Sequence, residues 1–263
     1  MCRPEHFAVT YAINPWMDPS QPVDRSAALR QWDELVATYR GLGHEVLAVD
    51  PVPGLPDMVF AANAAFVIDG IALGARFAKR ERADEARLYR EYLQAAGITV
   101  KKPTYVNEGE GDLLLESDVI LAGTGFRTDA RSHDEVAALT GRQVVTLRLV
   151  DPRYYHLDTA LCVLGDGQIA YLPEAFDGES RTQLARRYPD AILAEVADAE
   201  VLGLNAVSDG RNVVINREAE NLAAALAARG YNPIPVDLSE LRKAGGGPKC
   251  CTLELGGFRP TGR

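Results

Sequence analysis

The sequence predicts an α/β protein folded as a single domain, a closed ring of five small ββαβ units with helices outside. Three observations lead there. A hairpin, a helix and a further strand follow one another four times, with successive hairpins about 45–47 residues apart. The hairpins turn through Asp69-Gly70, Glu116-Ser117-Asp118, Gly165-Asp166-Gly167 and Ser208-Asp209-Gly210, and Asp-Gly between apolar runs is a strong short hairpin signal. The leftover pieces, an opening strand and helix and a closing strand, complete a fifth unit if the two ends pair. A doubly wound sheet would alternate single strands with helices, and these strands come mostly as hairpins.

In chain order, a strand is expected at Phe7–Ile13, ended by Asn14-Pro15-Trp16-Met17-Asp18. A helix over Asp24–Gly41 follows from the helical spacing of Leu29, Trp32, Leu35, Val36 and Tyr39. Glu45–Val49 reads as a strand, and Met58–Ile68 with Ile71–Leu73 as the first hairpin. Arg80–Ala96 is the next helix, leading through Gly97 to the strand Ile98–Lys101. The second unit pairs Leu113–Leu115 with Val119–Ala122, then adds the helix His133–Leu139 and the strand Val144–Leu149. The third pairs Thr159–Leu164 with Gln168–Leu172, then adds Ser180–Arg187 and Ala191–Glu195. The fourth pairs Leu204–Val207 with Asn212–Ile215, then adds Glu218–Ala228 and Ile234–Val236. Thr252–Leu255 closes the chain as a strand.

Composition narrows the function. The chain has 263 residues, 47% hydrophobic and 25% charged, an ordinary globular balance. A net charge of −9 argues against a nucleic-acid partner. No apolar run is long enough to span a bilayer, and the N-terminus lacks the pattern of a signal peptide. Cys2, Cys162, Cys250 and Cys251 show neither framework spacing nor a C-x-x-C pair, which argues against disulfides and a zinc site. Cys2 with His6 is too little for a metal centre. These features describe a reduced, cytoplasmic protein with no metal and no membrane contact. Whether it forms a homo-oligomer is left open.

A ring has a centre, and polar residues at the mouth of each unit converge on it: Asp57 and Asn63, Glu108 and Asp112, His156 and Asp158, Asn205, and Gly247 to Cys250. The last of these is Gly245-Gly246-Gly247-Pro248-Lys249-Cys250-Cys251-Thr252, a glycine-rich loop that puts a thiol at the start of an apolar alternation. A thiol, an imidazole and several acids suit nucleophilic attack with acid–base assistance. Acids around a thiol raise its pKa, a difficulty that a cationic electrophile removes. Guanidinium fits, being planar and matched to carboxylates by bidentate hydrogen bonds.

These motifs resemble, in order and over nearly the whole chain, those of the guanidine-modifying superfamily: arginine deiminases, amidinotransferases and dimethylarginine dimethylaminohydrolases. Gly246-Gly247-Pro248-Lys249-Cys250-Cys251-Thr252 resembles its nucleophile loop. His156-Leu157-Asp158-Thr159 resembles its H-x-D motif, and Glu108-Gly109-Glu110-Gly111-Asp112 its acidic motif. Pro56-Asp57-Met58-Val59-Phe60 with Asn63 resembles the first acidic stretch. The resemblance implies a pentein-type α/β propeller forming one catalytic domain over residues 1–263.

It also implies roles. Cys250 would attack the guanidinium carbon, with Cys251 facing the other way. His156 would be general acid to the departing amine and then general base for water. Glu108 and Asp158 would clamp the guanidinium nitrogens, and Arg82 and Arg127 would hold an α-carboxylate. Asp57 and the Ala244 carbonyl would place the amino-acid end or the distal nitrogen, while Asp112 orders its turn. His44 and His133 are left as surface or helix residues. One departure is Asn63, where arginine deiminases and many dimethylargininases carry Asp. Its context, Ala61-Ala62-Asn63-Ala64 with Ile13-Asn14-Pro15-Trp16-Met17, resembles a subgroup containing arginine dihydrolases.

The expectation is a hydrolase of linear amidines that needs no cofactor and takes a small guanidino substrate. Asymmetric dimethylarginine, cleaved to citrulline and dimethylamine, comes first because the compact chain lacks the added domain typical of arginine deiminases. Free arginine, by deiminase or dihydrolase action, is the alternative. A non-catalytic propeller, like the ribosome-binding anti-association factor of the same fold, is the rival of another class, and the acidic balance weighs against it.

Overall fold

The computed structural model describes residues 1–256. Helix α1 (Arg25–Gly41) starts where Asp24 accepts the Ala27 N–H at 2.9 Å, one of the donors a helix N-terminus leaves unpaired. It buries Ala28, Trp32, Leu35, Val36 and Tyr39, the helical stripe visible in the sequence.

Four ββαβ units follow, each a three-stranded sheet. In the first, β1 (Ala65–Ile68) and β2 (Ile71–Gly74) pair antiparallel, and α2 (Glu85–Ala95) carries the chain to β3 (Thr99–Lys101), parallel to β2. The tight turn works because Asp69 and Gly70 both take positive φ, 51° and 76°. The second unit holds β4 (Leu113–Glu116), β5 (Val119–Thr124), α3 (Arg131–Thr140) and β6 (Gln143–Arg148). The third holds β7 (Leu161–Gly165), β8 (Gln168–Tyr171), α4 (Gly178–Arg187) and β9 (Ile192–Leu193). After the short α5 (Val196–Ala199), the fourth holds β10 (Val207–Ser208), β11 (Asn212–Asn216), α6 (Glu220–Ala228) and β12 (Asn232–Val236). A last turn, α7 (Ser239–Arg242), leads into the glycine-rich loop.

The expected fifth unit differs. Among the described residues, Phe7–Ile13, Glu45–Val49 and Thr252–Leu255 form no ladder. The N-terminus is joined instead by one parallel bridge, Cys2 to Val49, flanked by the Met1 ammonium on the Leu47 carbonyl at 2.9 Å. The apolar alternation in these stretches is spent on packing. Phe7 and Val9 bury with Trp32 and Leu35, while Leu253 and Leu255 pack against the cluster of Ala65, Val67, Leu93 and Ile98. The strand expected at Leu204–Val207 shrinks to β10, because Leu204 lies in the core behind a turn in which Leu202 has φ 55°.

The mouths of the units are bonded to one another. The Ala62 N–H reaches the Cys250 carbonyl at 3.1 Å, and the Lys249 N–H reaches the Asn205 carbonyl at 3.2 Å. Asn205 Nδ2 donates to the Asp158 carbonyl at 3.0 Å, and the Leu157 N–H to Asp112 Oδ1 at 3.0 Å. Three of the mouths are short 3₁₀ turns, Ala61–Ala64, Gly109–Gly111 and Leu157–Thr159, which bring their polar side chains inward just ahead of a strand. No helix among the described residues is long and apolar enough to cross a membrane.

The first and second units meet at Gly109. Its φ is 55°, and a Cβ there would lie 2.4 Å from the Ala65 carbonyl oxygen and 2.6 Å from that of Ala62. Gly109→Ala therefore combines backbone strain with a clash against main chain, which has no rotamer to give way. The expected outcome is a loss of about 2 kcal/mol or more, seen as a fall of several degrees in the midpoint of thermal unfolding.

Candidate active site

The residues singled out in the sequence come together and are buried: Cys250, His156, Glu108, Asp158, Asp57 and Asn63 are each 2% exposed or less. Cys250 Sγ donates to Asp158 Oδ2 at 3.2 Å and accepts from Asn205 Nδ2 at 3.1 Å. Burial, and then the neighbouring Asp158 carboxylate, push the thiol well above its ordinary value. Asp158 is itself pushed up to about 6 by burial.

His156 Nε2 lies 2.7 Å from Glu108 Oε2, while its Nδ1 is buried without a partner. A carboxylate on one ring nitrogen fixes the tautomer and leaves the other nitrogen to exchange a proton. Glu108 Oε2 also accepts from Arg127 Nη1 at 3.0 Å, and Oε1 accepts the Ala78 N–H at 2.9 Å. Burial raises Glu108, but the His156 hydrogen bond and the Arg127 charge outweigh it and hold the group well below the usual carboxylate range. Arg127 Nη2 donates to the Ile13 carbonyl at 2.9 Å, and its guanidinium lies 4.8 Å from the Tyr155 ring centre.

Asp57 Oδ2 accepts from Tyr11 Oη at 2.9 Å, and its Oδ1 is unpaired. Asn63 Oδ1 accepts from Arg82 Nη1 at 2.6 Å, and its Nδ2 is unpaired. The Asn63 amide and the His156 ring flank Gly111, where a Cβ would lie 2.3 Å from Asn63 Nδ2 and 3.3 Å from His156 Nδ1. Arg82 is buried, not solvated. It binds Glu85 at 2.8 Å and the carbonyls of Asp57 and Phe60 at 3.2 Å each. The Ala244 carbonyl accepts from Asn14 Nδ2 at 3.0 Å. Asp112 orders its turn as expected, accepting the N–H groups of Leu157 and Thr128. Cys251 is fully buried.

His133 lies on α3 as expected but is buried, bonded to Thr146 Oγ1 at 2.8 Å, while His44 is exposed. Sequence reasoning gave no role to Tyr11, Tyr155 or Asn205. Tyr155 donates to the Gly245 carbonyl at 2.9 Å and so ties the glycine-rich loop to the residue beside His156. In the same loop, Lys249 Nζ lies 2.7 Å from Glu110 Oε2 and also meets Glu254, whereas the neighbouring Cys250 Sγ meets Asp158 and Asn205. Burial pushes Glu110 up to about 7 even with Lys249 beside it.

Asp57 and Asp158 thus keep unpaired buried acceptors in a set with a thiol and an imidazole held by a carboxylate. That arrangement, at the mouths of repeated ββαβ units, is the signature of a pentein-type hydrolase working through cysteine. Comparison gives the family. The profile of the eukaryotic N,N dimethylarginine dimethylhydrolases matches residues 3–256, and the chain belongs to that family. It is 54% identical over 255 residues to the N(G),N(G)-dimethylarginine dimethylaminohydrolase of Mycobacterium tuberculosis, covering 97% of this chain and 84% of that one. It is 36% identical over 262 residues to the bifunctional arginine dihydrolase/ornithine cyclodeaminase ArgZ of Synechocystis, but spans only 37% of that longer protein. The N-terminal domain of ArgZ, solved with a covalently bound reaction intermediate, matches with a TM-score of 0.93 at 36% identity, covering 97% of this chain and 96% of that one. The Pseudomonas aeruginosa dimethylarginine dimethylaminohydrolase structure has a TM-score of 0.78 at 21% identity, covering 88% of this chain and 89% of that one, which establishes the shared fold.

The buried acids set a pH dependence. Burial raises Glu85 and Glu110 to about 7 from the ordinary 4.5, and Asp158 to about 6 from 3.8. The folded protein therefore keeps protons that the unfolded chain releases, and stability declines as pH rises through this window up to about 7. Glu108 acts with the opposite sign, but only as pH falls below its unfolded value of 4.5. The thermal midpoint should fall between about pH 5 and pH 7, and Glu110→Gln should flatten that slope whatever its own absolute midpoint.

Proposed function

We propose that this chain hydrolyses asymmetric dimethylarginine to citrulline and dimethylamine through a covalent thiouronium on Cys250. The observation that carries the reading is the pair of carboxylate oxygens left unpaired and buried, Asp158 Oδ1 beside the Cys250 thiol and Asp57 Oδ1, together with the unpaired Nδ1 of His156. A guanidinium is a cation with N–H donors in a planar fork, and it satisfies them without bringing a competing acceptor. The 54% identity to a dimethylargininase supports the same reading.

The cation offsets the carboxylates around the thiol and lowers the cost of forming the thiolate. Cys250 Sγ then attacks the guanidinium carbon. The thiol proton passes to His156 Nδ1 as the sulfur adds, and as the carbon–nitrogen bond to dimethylamine breaks His156 gives that proton to the departing nitrogen, leaving the thiouronium on sulfur. His156 next takes a proton from water and hydroxide adds to the same carbon; the carbon–sulfur bond then breaks as the hydroxyl proton moves to the departing thiolate, releasing citrulline and the thiol, and His156 returns its own proton to solvent. Asp158 and Glu108 hold the guanidinium nitrogens, with Asp57 and the Ala244 carbonyl placing the distal nitrogen or the amino-acid end. For this, Arg127 leaves Glu108 and turns to the substrate's α-carboxylate, assisted by the N–H of Arg82 Nη1 that its internal bonds leave over. Asn63 holds Arg82, and its free Nδ2 faces the same space as His156.

We also infer one catalytic domain over the whole chain, its units closing a pseudo-fivefold ring. The bonds from Ala62 to Cys250, Lys249 to Asn205, Asn205 to Asp158 and Leu157 to Asp112 support this, with Gly109 against Ala65 completing the circuit.

Asn63 supports one second reading, arginine dihydrolase action. An unpaired amide N–H beside His156 is a group that can orient a second water, and ArgZ is an arginine dihydrolase. Product identity decides between them. Incubation with asymmetric dimethylarginine should give citrulline and dimethylamine in equal amounts, with little turnover of arginine. Ornithine and two ammonia from arginine would replace the first reading with the second. Cys250→Ser should abolish turnover and covalent labelling, while Cys251→Ser keeps both.

A further inference from the structure

We propose that Asn205 is a working part of the catalytic centre, its side-chain amide positioning Cys250 and stabilising the thiolate by a hydrogen bond. The inference rests on Cys250 being the nucleophile. Asn205 is wholly buried, and its amide uses every hydrogen-bonding capacity it has. Oδ1 accepts the N–H groups of Gly247 at 2.9 Å and Cys250 at 3.0 Å. Nδ2 donates to the Asp158 carbonyl at 3.0 Å and to Cys250 Sγ at 3.1 Å. One planar group thus sets the main chain of the nucleophile loop, the main chain of Asp158 and the sulfur itself.

The surroundings are built to this amide. A Cβ on Gly247 would stand 2.9 Å from Asn205 Oδ1 and 3.0 Å from Asn216 Nδ2, so the loop closes on the amide only with glycine there. Upstream, Leu202 holds a left-handed φ of 55°, and the Asn205 N–H returns to the Leu202 carbonyl at 3.1 Å. Strain of this kind persists where the surroundings hold it, often at functional sites.

The chemistry gives the amide a task. Of the two hydrogen bonds made by the sulfur, the one to Asp158 needs the thiol proton and is lost with it. The one from Asn205 remains and strengthens, because its acceptor becomes an anion. Asp cannot substitute: it keeps the acceptor for the two N–H groups but sets a carboxylate oxygen against the sulfur.

The rate of Cys250 alkylation by iodoacetamide, located by mass spectrometry and followed against pH, tests this without turnover. In Asn205→Asp the midpoint should rise by about one pH unit or more, and in Asn205→Ser by less. Asn216→Ser, a buried neighbour that does not touch the sulfur, should lower the thermal midpoint and leave the alkylation midpoint in place. A folded Asn205 variant with the native midpoint overturns the proposal. Should neither variant fold, native protein labelled with ¹⁵N-asparagine gives the answer. The Asn205 amide resonance must follow the Cys250 titration and cease to titrate in Cys250→Ser, and a resonance indifferent to pH overturns the proposal. Turnover surviving in Cys250→Ser would instead remove the nucleophile assignment while leaving the alkylation result intact.

Discussion

Carboxylates buried at the centre are the constraint that the rest of the molecule accommodates. Asp57, Glu85, Glu108, Glu110, Asp112 and Asp158 are each 4% exposed or less. A buried ionised group is costly unless it is paired and hydrogen-bonded. Most of the set is answered from within: Glu85 by Arg82, Glu108 by Arg127 and His156, Glu110 by Lys249, and Asp112 by main-chain N–H groups. Asp57 and Asp158 each keep an oxygen without a partner. The Cys250 thiol stands beside the second of these, bonded to the other oxygen of Asp158. In the proposed reaction, recognition of the guanidinium and activation of the thiol draw on the same imbalance.

The repeated unit explains how such a set can be assembled from a chain of modest size. Each hairpin is local, turned by residues that tolerate positive φ at Asp69, Ser117 and Asp166. Each parallel third strand needs a crossover, which the helix supplies. The mouth of each unit then delivers one or two polar side chains to a shared point. Residues far apart in sequence, such as Asn14 and Ala244 or Glu108 and His156, meet because the mouths are bonded to each other rather than merely adjacent.

The hairpins and crossover helices were legible because their signals are local: Asp-Gly turns, helical spacing and apolar runs. The thiol, imidazole and acids were legible as a group because they recur at equivalent mouths. The fifth unit was read wrongly as a ladder, since alternation in Phe7–Ile13 and Thr252–Leu255 looks the same whether it serves pairing or packing. Arg82 gave no sign of burial, because its partner Glu85 and the carbonyls of Asp57 and Phe60 are supplied by the fold. His133 looked like an ordinary helix residue until Thr146, on β6, came beneath it. Tyr155 and Asn205 act through main-chain atoms of distant loops, which no spacing rule reports. Asn205 did leave one trace, its place at the mouth of a unit whose counterparts all carry chemistry.

The four thiols bear on how this protein meets oxidants. Cys2 and Cys162 are buried and pushed up to about 12, Cys251 is raised as well, and all three are therefore poor targets. Cys250 shares that protection while Asp158 and burial keep its proton in place. In the proposed reaction, the guanidinium that readies the sulfur for attack also readies it for peroxide. Oxidative loss of function would then follow ligand occupancy rather than the total number of cysteines, with the resting form as the form that keeps.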